Sequence, residues 1–171
     1  MLSMANLNDL EIAYIAGLFD GEGCITIHKG SRIYPNQFGY GKNVRYTLNC
    51  IISNTDKTVL EKFKEKTGLG IVYTRKDTAK GRRQSYQWIL ASNQAEQFLI
   101  ALLPYLQIKK AQAIVALQFQ EFIHSQRGHH QLSIDDLNTR QLYKDTMSWL
   151  NTGRYHGEIS PLSNEIKPLQ Q

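Results

Sequence analysis

The sequence predicts an α+β domain in which helices cover one face of an antiparallel sheet, and three observations lead there. Two pairs of short segments, 24–34 with 44–53 and 71–77 with 83–91, alternate apolar and polar residues at a period of two. Segments with helical spacing precede, separate and follow these pairs. The 171 residues, 42% of them hydrophobic, suit one compact domain with its own core. The order is helix, hairpin, helix, hairpin, helix, then more helices. That αββαββα arrangement is a layer of helices on an antiparallel sheet. Residues 1–171 read as one domain, with a core from about 8 to 125 and a less informative helix and tail from 126 to 171.

The first helix is expected over 9–20. Asn8 caps it, and Glu11 three residues on supplies the returning half of a capping box. Gly21 and Gly23 are expected to end it. Ala13, Ala16, Gly17 and Asp20 fall on one stripe of small side chains that another backbone could approach closely. Ile12, Ile15 and Phe19 make a larger apolar flank suited to a core.

In "CITIHKGSRIY", Cys24, Thr26, His28 and Gly30 share one face and Ile25 and Ile27 the other. "PNQFGYGKN" reads as a loop. In "VRYTLNCIIS", Arg45, Thr47, Asn49, Ile51 and Ser53 oppose Tyr46, Leu48, Cys50 and Ile52. The second set faces a core. The first is the wet face, with Ile51 its misfit.

Asn54 or Thr55 is expected to cap the next helix, with Val59, Leu60 and Phe63 inward and Gly68 ending it. The second hairpin crosses "TAKGR", with Tyr73, Arg75, Arg83, Ser85 and Gln87 outward and Val72, Tyr86, Trp88 and Leu90 inward. Ser92 caps a helix that stops near Pro104. A longer helix runs from Lys109 to Ser125, and Ser133 caps the last one.

Charge is unevenly spread. Residues 1–23 hold four acids and no Lys or Arg, whereas 24–91 hold thirteen bases against four acids. The bases coincide with the predicted strands, which is the footprint of a phosphate-binding face. Cys24 and Cys50 fall on opposite sheet faces and read as reduced rather than as a disulfide or a zinc site. His124, His129 and His130 lack Cys or Asp partners at ligand spacing and read as surface residues. With no long apolar run and no basic leader, the default is an intracellular protein, cytoplasmic or organellar, with no membrane partner and no secretory signal.

The stretch "YIAGLFDGEGCI", Tyr14 to Ile25, poses a puzzle: an apolar, small-residue helix ends on two carboxylates. Its central "IAGLFDGEG" resembles the LAGLIDADG motif of homing endonucleases position for position. Ala16, Gly17, Leu18, Asp20 and Gly23 are identical to the motif, and Glu22 stands for its second Asp. "LPYLQIKKAQA", Leu103 to Ala113, is similar to the family segment that carries an active-site lysine, which places that role on Lys109. One motif copy implies the single-motif homodimeric type, with Ala13, Ala16, Gly17 and Asp20 at the contact of two motif helices. A symmetric dimer implies a near-palindromic site.

The resemblance implies Mg²⁺ or another divalent cation, with Glu22 as the carboxylate ligand and the Gly21 carbonyl as an added one. Asp20 carries two readings: a catalytic carboxylate, or a helix-end residue hydrogen-bonded to backbone or to the partner helix. Lys109 would stabilise transition-state charge or poise the water. Ser53 falls where the family often has a water-orienting Gln, and its side chain is shorter. Double-stranded DNA would lie on the polar strand faces. Thr26, His28, Arg32, Arg45, Thr47, Asn49, Tyr73, Arg75, Arg83, Ser85 and Gln87 are candidate contacts, with Lys29, Lys42, Lys76, Lys80 and Arg82 favoured for phosphates. The implied activity is Mg²⁺-dependent cleavage of both DNA strands at a long specific site, of the intron-homing kind. A maturase-like RNA-binding protein and a non-catalytic DNA-binding regulator are the alternatives.

Overall fold

The structure is a computed structural model, and it describes residues 4, 7–36, 39–76, 83–126 and 132–152, with the side chains of 32–36 and 39–43 left aside. Helix α1 (Asp9–Glu22) leads into strands β1 (Gly23–Asn36) and β2 (Gly39–Asn54). Then come α2 (Lys57–Thr67), β3 (Ile71–Thr74), β4 (Tyr86–Ala91), α3 (Asn93–Leu102), α4 (Lys110–Ser125) and α5 (Ile134–Thr152). The sheet order is β1-β2-β4-β3, every neighbour pair antiparallel. The two predicted hairpins therefore meet through β2 and β4, with β1 and β3 as edges.

The period-two readings hold strand by strand. Ile25, Ile27, Tyr46, Leu48, Cys50, Ile52, Trp88 and Leu90 are buried under the helices. An aromatic chain ties the two halves together: Phe19 to Phe98 (5.1 Å), Phe98 to Trp88 (5.3 Å), Trp88 to Phe63 (5.9 Å) and Phe63 to Tyr14 (5.8 Å). It starts and ends on α1. All but the tilted Trp88–Phe63 pair are edge-to-face, and such pairs contribute about 0.5–1.5 kcal/mol each beyond simple burial, so these contacts are a main reason why α1 has one fixed seat.

Four local expectations change. Of the segment read as a loop after Tyr34, residues 35–36 and 39–43 are strand: Pro35 pairs with Tyr40 and Asn36 with Gly39, so β1 and β2 form a longer ribbon than alternation alone suggested. Gly21 does not end α1, which continues to Glu22. Gly23 ends it: its N–H still donates to the Phe19 carbonyl but its backbone is extended, and a Cβ there would lie 2.4 Å from that oxygen. The cap of α2 is Asp56, whose carboxylate accepts from the Thr58 N–H at 2.8 Å. Asn54 stays in β2, paired with Tyr86. Ser92 occupies the N-cap position of α3 but its side chain makes no capping bond.

The capping box of α1 forms as read. Asn8 Oδ1 accepts from the Glu11 N–H at 3.0 Å, and Glu11 accepts from the Asn8 N–H at 3.1 Å. Lys66 of α2 also donates to Glu11; that bond and the Asn8 N–H hold the Glu11 carboxyl below its ordinary range. Helix α5 packs on the core, with Met147 and Thr146 buried. Its Asn151 donates to the Ile25 carbonyl at 2.8 Å, and its Gln141 accepts from Tyr46 at 2.8 Å. Both cysteines are free, Cys24 exposed and Cys50 buried. Among the described residues no helix is long and apolar enough to cross a membrane.

The turn into β3 is pinned. Trp88 Nε1 donates to the Leu69 carbonyl at 2.9 Å, and the Gly70 N–H donates to Gln94 Oε1 at 3.2 Å. Gly70 has φ +73°, and a Cβ there would sit 2.4 Å from Trp88 Nε1. Gly70→Ala is therefore expected to destabilise the fold by about 1–3 kcal/mol through strain at a positive φ. A thermal melt superimposable on the parent would contradict this.

Candidate functional site

The last turn of α1 is electrostatically unusual. A helix C-terminus carries partial negative charge and leaves carbonyls unpaired. Here that end holds two acids, Asp20 and Glu22, and no base. Both carboxylates are misplaced by the dipole rule, so each needs compensation from elsewhere.

Asp20 finds it within the chain. It is buried, and its Oδ2 accepts from the Gln107 N–H at 2.7 Å and the Ile108 N–H at 3.2 Å. Its Oδ1 accepts from the Lys109 N–H at 2.9 Å. Burial pushes the carboxyl up. The N–H groups of Gln107, Lys109 and Ile108, with the Lys109 charge, outweigh it and bring the group below its ordinary value. The Asp20 carboxylate thus staples the turn before α4 to the end of α1. Lys109 Nζ also donates to the Asp20 carbonyl oxygen, which plants the ammonium beside the same helix end.

Glu22 finds none. It is exposed, and among the described residues no hydrogen bond or ion pair reaches its carboxylate. The carbonyl of Gly21 beside it lies in the last turn, beyond the reach of intrahelical donors. Gly23 pairs with Ile52, so Ser53 sits one step past the end of the ladder, at the same end of the sheet as Glu22. The Ser53 hydroxyl accepts from Gln87 Nε2 at 3.2 Å, its cross-strand partner. Cys24 borders the centre. Burial pushes its thiol up while the Lys109 charge pulls the other way, and the net shift is upward, which leaves an ordinary thiol rather than a thiolate.

The outward sheet face gathers most of the predicted contacts. Thr26 and His28 of β1 lie opposite Asn49 and Thr47 of β2. Tyr73, 52% exposed, lies opposite Gln87. Arg45, Arg75, Lys76 and Arg83 are exposed, and the Arg75 N–H donates to the Ser85 carbonyl, which prolongs the β3–β4 ladder. Lys29 departs from the expected set. It shares the parity of Ile25 and Ile27, donates to Gln141 of α5 at 2.7 Å and rests 5.4 Å from the Tyr46 ring centre. The side chains of Arg32 and Lys42, and residues Lys80, Arg82, His129 and His130, lie outside the described residues.

The small-residue stripe divides. Ala16 and Asp20 turn inward and are buried in the chain's own core. Gly17 and Gly21 point outward, and a Cβ added to either meets nothing within 4 Å. The exposed line of α1 is Leu10 (83%), Tyr14 (62%), Gly17 and Gly21, with Ile108 (70%) in the turn that Asp20 holds. Helical spacing read from Ala13 alone selected a stripe tilted toward the core. The exposed apolar Leu10 and Tyr14, one turn apart and in line with Gly17, were the signal for the outer stripe.

Residues 15–125 match the LAGLIDADG endonuclease family. The chain belongs to it. The LAGLIDADG relative I-CvuI, described as a DNA endonuclease of Chlorella vulgaris, is 32% identical over 114 residues, which cover 66% of each chain. The solved structure of I-CvuI in complex with the I-CreI target, with Mg and the DNA not cleaved, aligns with TM-score 0.64 and 26% identity over 92% of each chain. An archaeal intron-encoded homing endonuclease, I-Vdi141I, complexed with DNA, aligns with TM-score 0.64 and 20% identity over 92% of this chain and 94% of that one.

Proposed function

We propose that the chain is a sequence-specific, divalent-metal-dependent DNA endonuclease of the homing type, acting as a homodimer on a long near-palindromic duplex. The observation that carries this reading is Glu22. It is an uncompensated carboxylate at the negative end of a helix, whose Asp20 carbonyl also holds the Lys109 ammonium, and at one end of a polar sheet face. Its I-CvuI relative is described as a DNA endonuclease.

The donor set fits a hard cation. Glu22 and the Gly21 carbonyl offer oxygen ligands, and the helix dipole adds attraction for positive charge. Among the described residues no three His, Cys, Asp or Glu side chains converge, so one chain supplies a partial shell that suits an ion keeping its waters and sharing phosphate oxygens. A bound divalent ion supplies an activated water and neutralises phosphate charge. Lys109 has three donors and spends one on the Asp20 carbonyl. The others are free to meet negative charge that develops on a phosphate. Asp20, with both oxygens engaged, positions Lys109 and the 107–109 turn instead of touching a substrate.

The dimer reading rests on the exposed line of α1. Gly17 and Gly21 permit backbone approach, and Leu10, Tyr14 and Ile108 would be covered by a second copy. Packing two such helices brings two Glu22 carboxylates toward one axis. Gly17→Glu has room in the single chain, so it is expected to fold normally yet sediment as a monomer and lose double-strand cleavage. A Gly17→Glu protein that remains dimeric would move the interface elsewhere.

The direct test incubates the protein with a randomised duplex library, with and without Mg²⁺. Cleavage of a selected subset in Mg²⁺ alone is the expected result. Specific duplex binding with no cut in any divalent ion would instead identify a regulator, and selective binding of structured RNA a maturase-like protein.

A further inference from the structure

The outward sheet face is polar except for one row. Ile51 of β2 lies opposite Ile89 of β4, and Ile89 opposite Ile71 of β3. Cys24 of β1 lies opposite Ile51 and completes the row. Cross-strand partners point to the same side, so four neutral side chains cross all four strands in line. Ile71 is 53% exposed, Cys24 is exposed, and Ile51 and Ile89 are half-buried. The rows on either side are mainly polar: Thr26 and Asn49 with the small Ala91 on one, Ser53 with Gln87 and Tyr73 on the other.

An isoleucine row on a wet, basic face wastes apolar surface unless something covers it. Its dimensions select the cover. Strands lie about 4.8 Å apart, so three isoleucines span roughly 10 Å. A strip that long and one residue wide is far too small for a protein interface. It fits within a major groove about 12 Å wide, where the one apolar feature of the base edges is the 5-methyl group of thymine. The row is also held rigidly. Gly70, just before Ile71, is fixed through Gln94, and Leu69 through Trp88. At its other end, Cys24 lies within the electrostatic reach of Lys109.

We propose that Ile51, Ile89 and Ile71, with Cys24 at their end, form a thymine-reading strip that selects methyl-bearing base edges near the cleavage point of each half-site. This rests on the DNA-endonuclease reading above and adds a specificity device to it. Hydrogen-bonding side chains in the flanking rows read donors and acceptors. The strip reads a methyl group, which neither cytosine nor uracil carries.

The test uses two randomised duplex libraries, one made with thymidine and one with deoxyuridine in its place. The thymidine library is expected to yield sites with thymine enriched at fixed positions near the centre, and the deoxyuridine library is expected to lose that enrichment while other positions persist. Single thymine-to-uracil replacements at those positions in a selected duplex should weaken binding by about fourfold each, the scale of one buried methyl group. Ile89→Ser and Ile71→Ser should each lose the thymine preference at the position its isoleucine reads and keep it elsewhere. Ile71 lies on an exposed edge, so its variant folds even if the Ile89 variant does not, and thermal melts check both. Equal affinity of the unaltered protein for the two duplexes, or a full thymine preference in folded variants, would overturn the strip. Failure to select any duplex from either library would remove the DNA reading itself, a distinguishable outcome.

Discussion

Glu22→Gln is expected to leave duplex binding within a few-fold of the parent and to lower Mg²⁺-dependent cleavage by at least about 100-fold, the scale on which losing one group that acts on transition-state charge is felt. The substitution keeps size and shape and removes only the charge. Glu22 is exposed and unpaired among the described residues, so the fold loses no contact. It gains slightly, because an acid at a helix C-terminus opposes the dipole. The pattern expected is therefore a protein at least as stable as the parent, with intact binding and a defective cut. Single-turnover rates in Mg²⁺, set beside binding measured without it, separate the two effects. A variant that cuts at the parental rate would remove Glu22 from the mechanism, and one that binds poorly would make it a recognition residue.

Much of this was legible before any coordinates. Alternation at a period of two placed Ile25, Ile27, Leu48, Cys50, Trp88 and Leu90 inward, and all are buried. The rule works because a strand has only two faces, so one correctly placed residue fixes the rest. The helix α1 was harder. Ala13, Ala16, Gly17 and Asp20 share a stripe on a helical wheel, but a wheel carries no absolute rotation. The large side chains of Ile15 and Phe19 set that rotation by entering the core, and they take Ala16 and Asp20 with them. Lys29 shows a related difficulty: its charge suggested a phosphate contact, while its parity put it beside Gln141 of α5, an element whose position sequence spacing does not give. The partners of Asp20 were illegible in principle, because backbone N–H groups 87 to 89 residues away leave no mark on composition or spacing.

Asp20→Asn tests whether the staple is what its geometry implies. An amide has one acceptor oxygen where the carboxylate has two, so its NH₂ group must face at least one of the Gln107, Ile108 and Lys109 N–H groups. Hydrogen bonds to a charged acceptor contribute about 1.5–3 kcal/mol, and a buried donor left unpaired costs about 1–3 kcal/mol. A loss of roughly 2–4 kcal/mol follows, and for a chain of this size that lowers Tm by about 4–16 °C. The loss is pH-dependent in a fixed sense. The folded protein holds the Asp20 carboxyl below its ordinary value, so the carboxylate stabilises the fold above the unfolded carboxyl's pKa and loses that contribution as pH falls through the folded one. Parent and variant should therefore differ most near neutrality and converge on acidification below the ordinary aspartate range. Cleavage should fall as well, because the Lys109 backbone N–H is one of the three groups that the carboxylate holds. A variant as stable as the parent at neutral pH would show that packing alone holds the 107–109 turn in place. If stability is lost while cleavage per folded molecule is unchanged, Lys109 keeps its position without the staple, and the Asp20 carboxylate serves the fold alone.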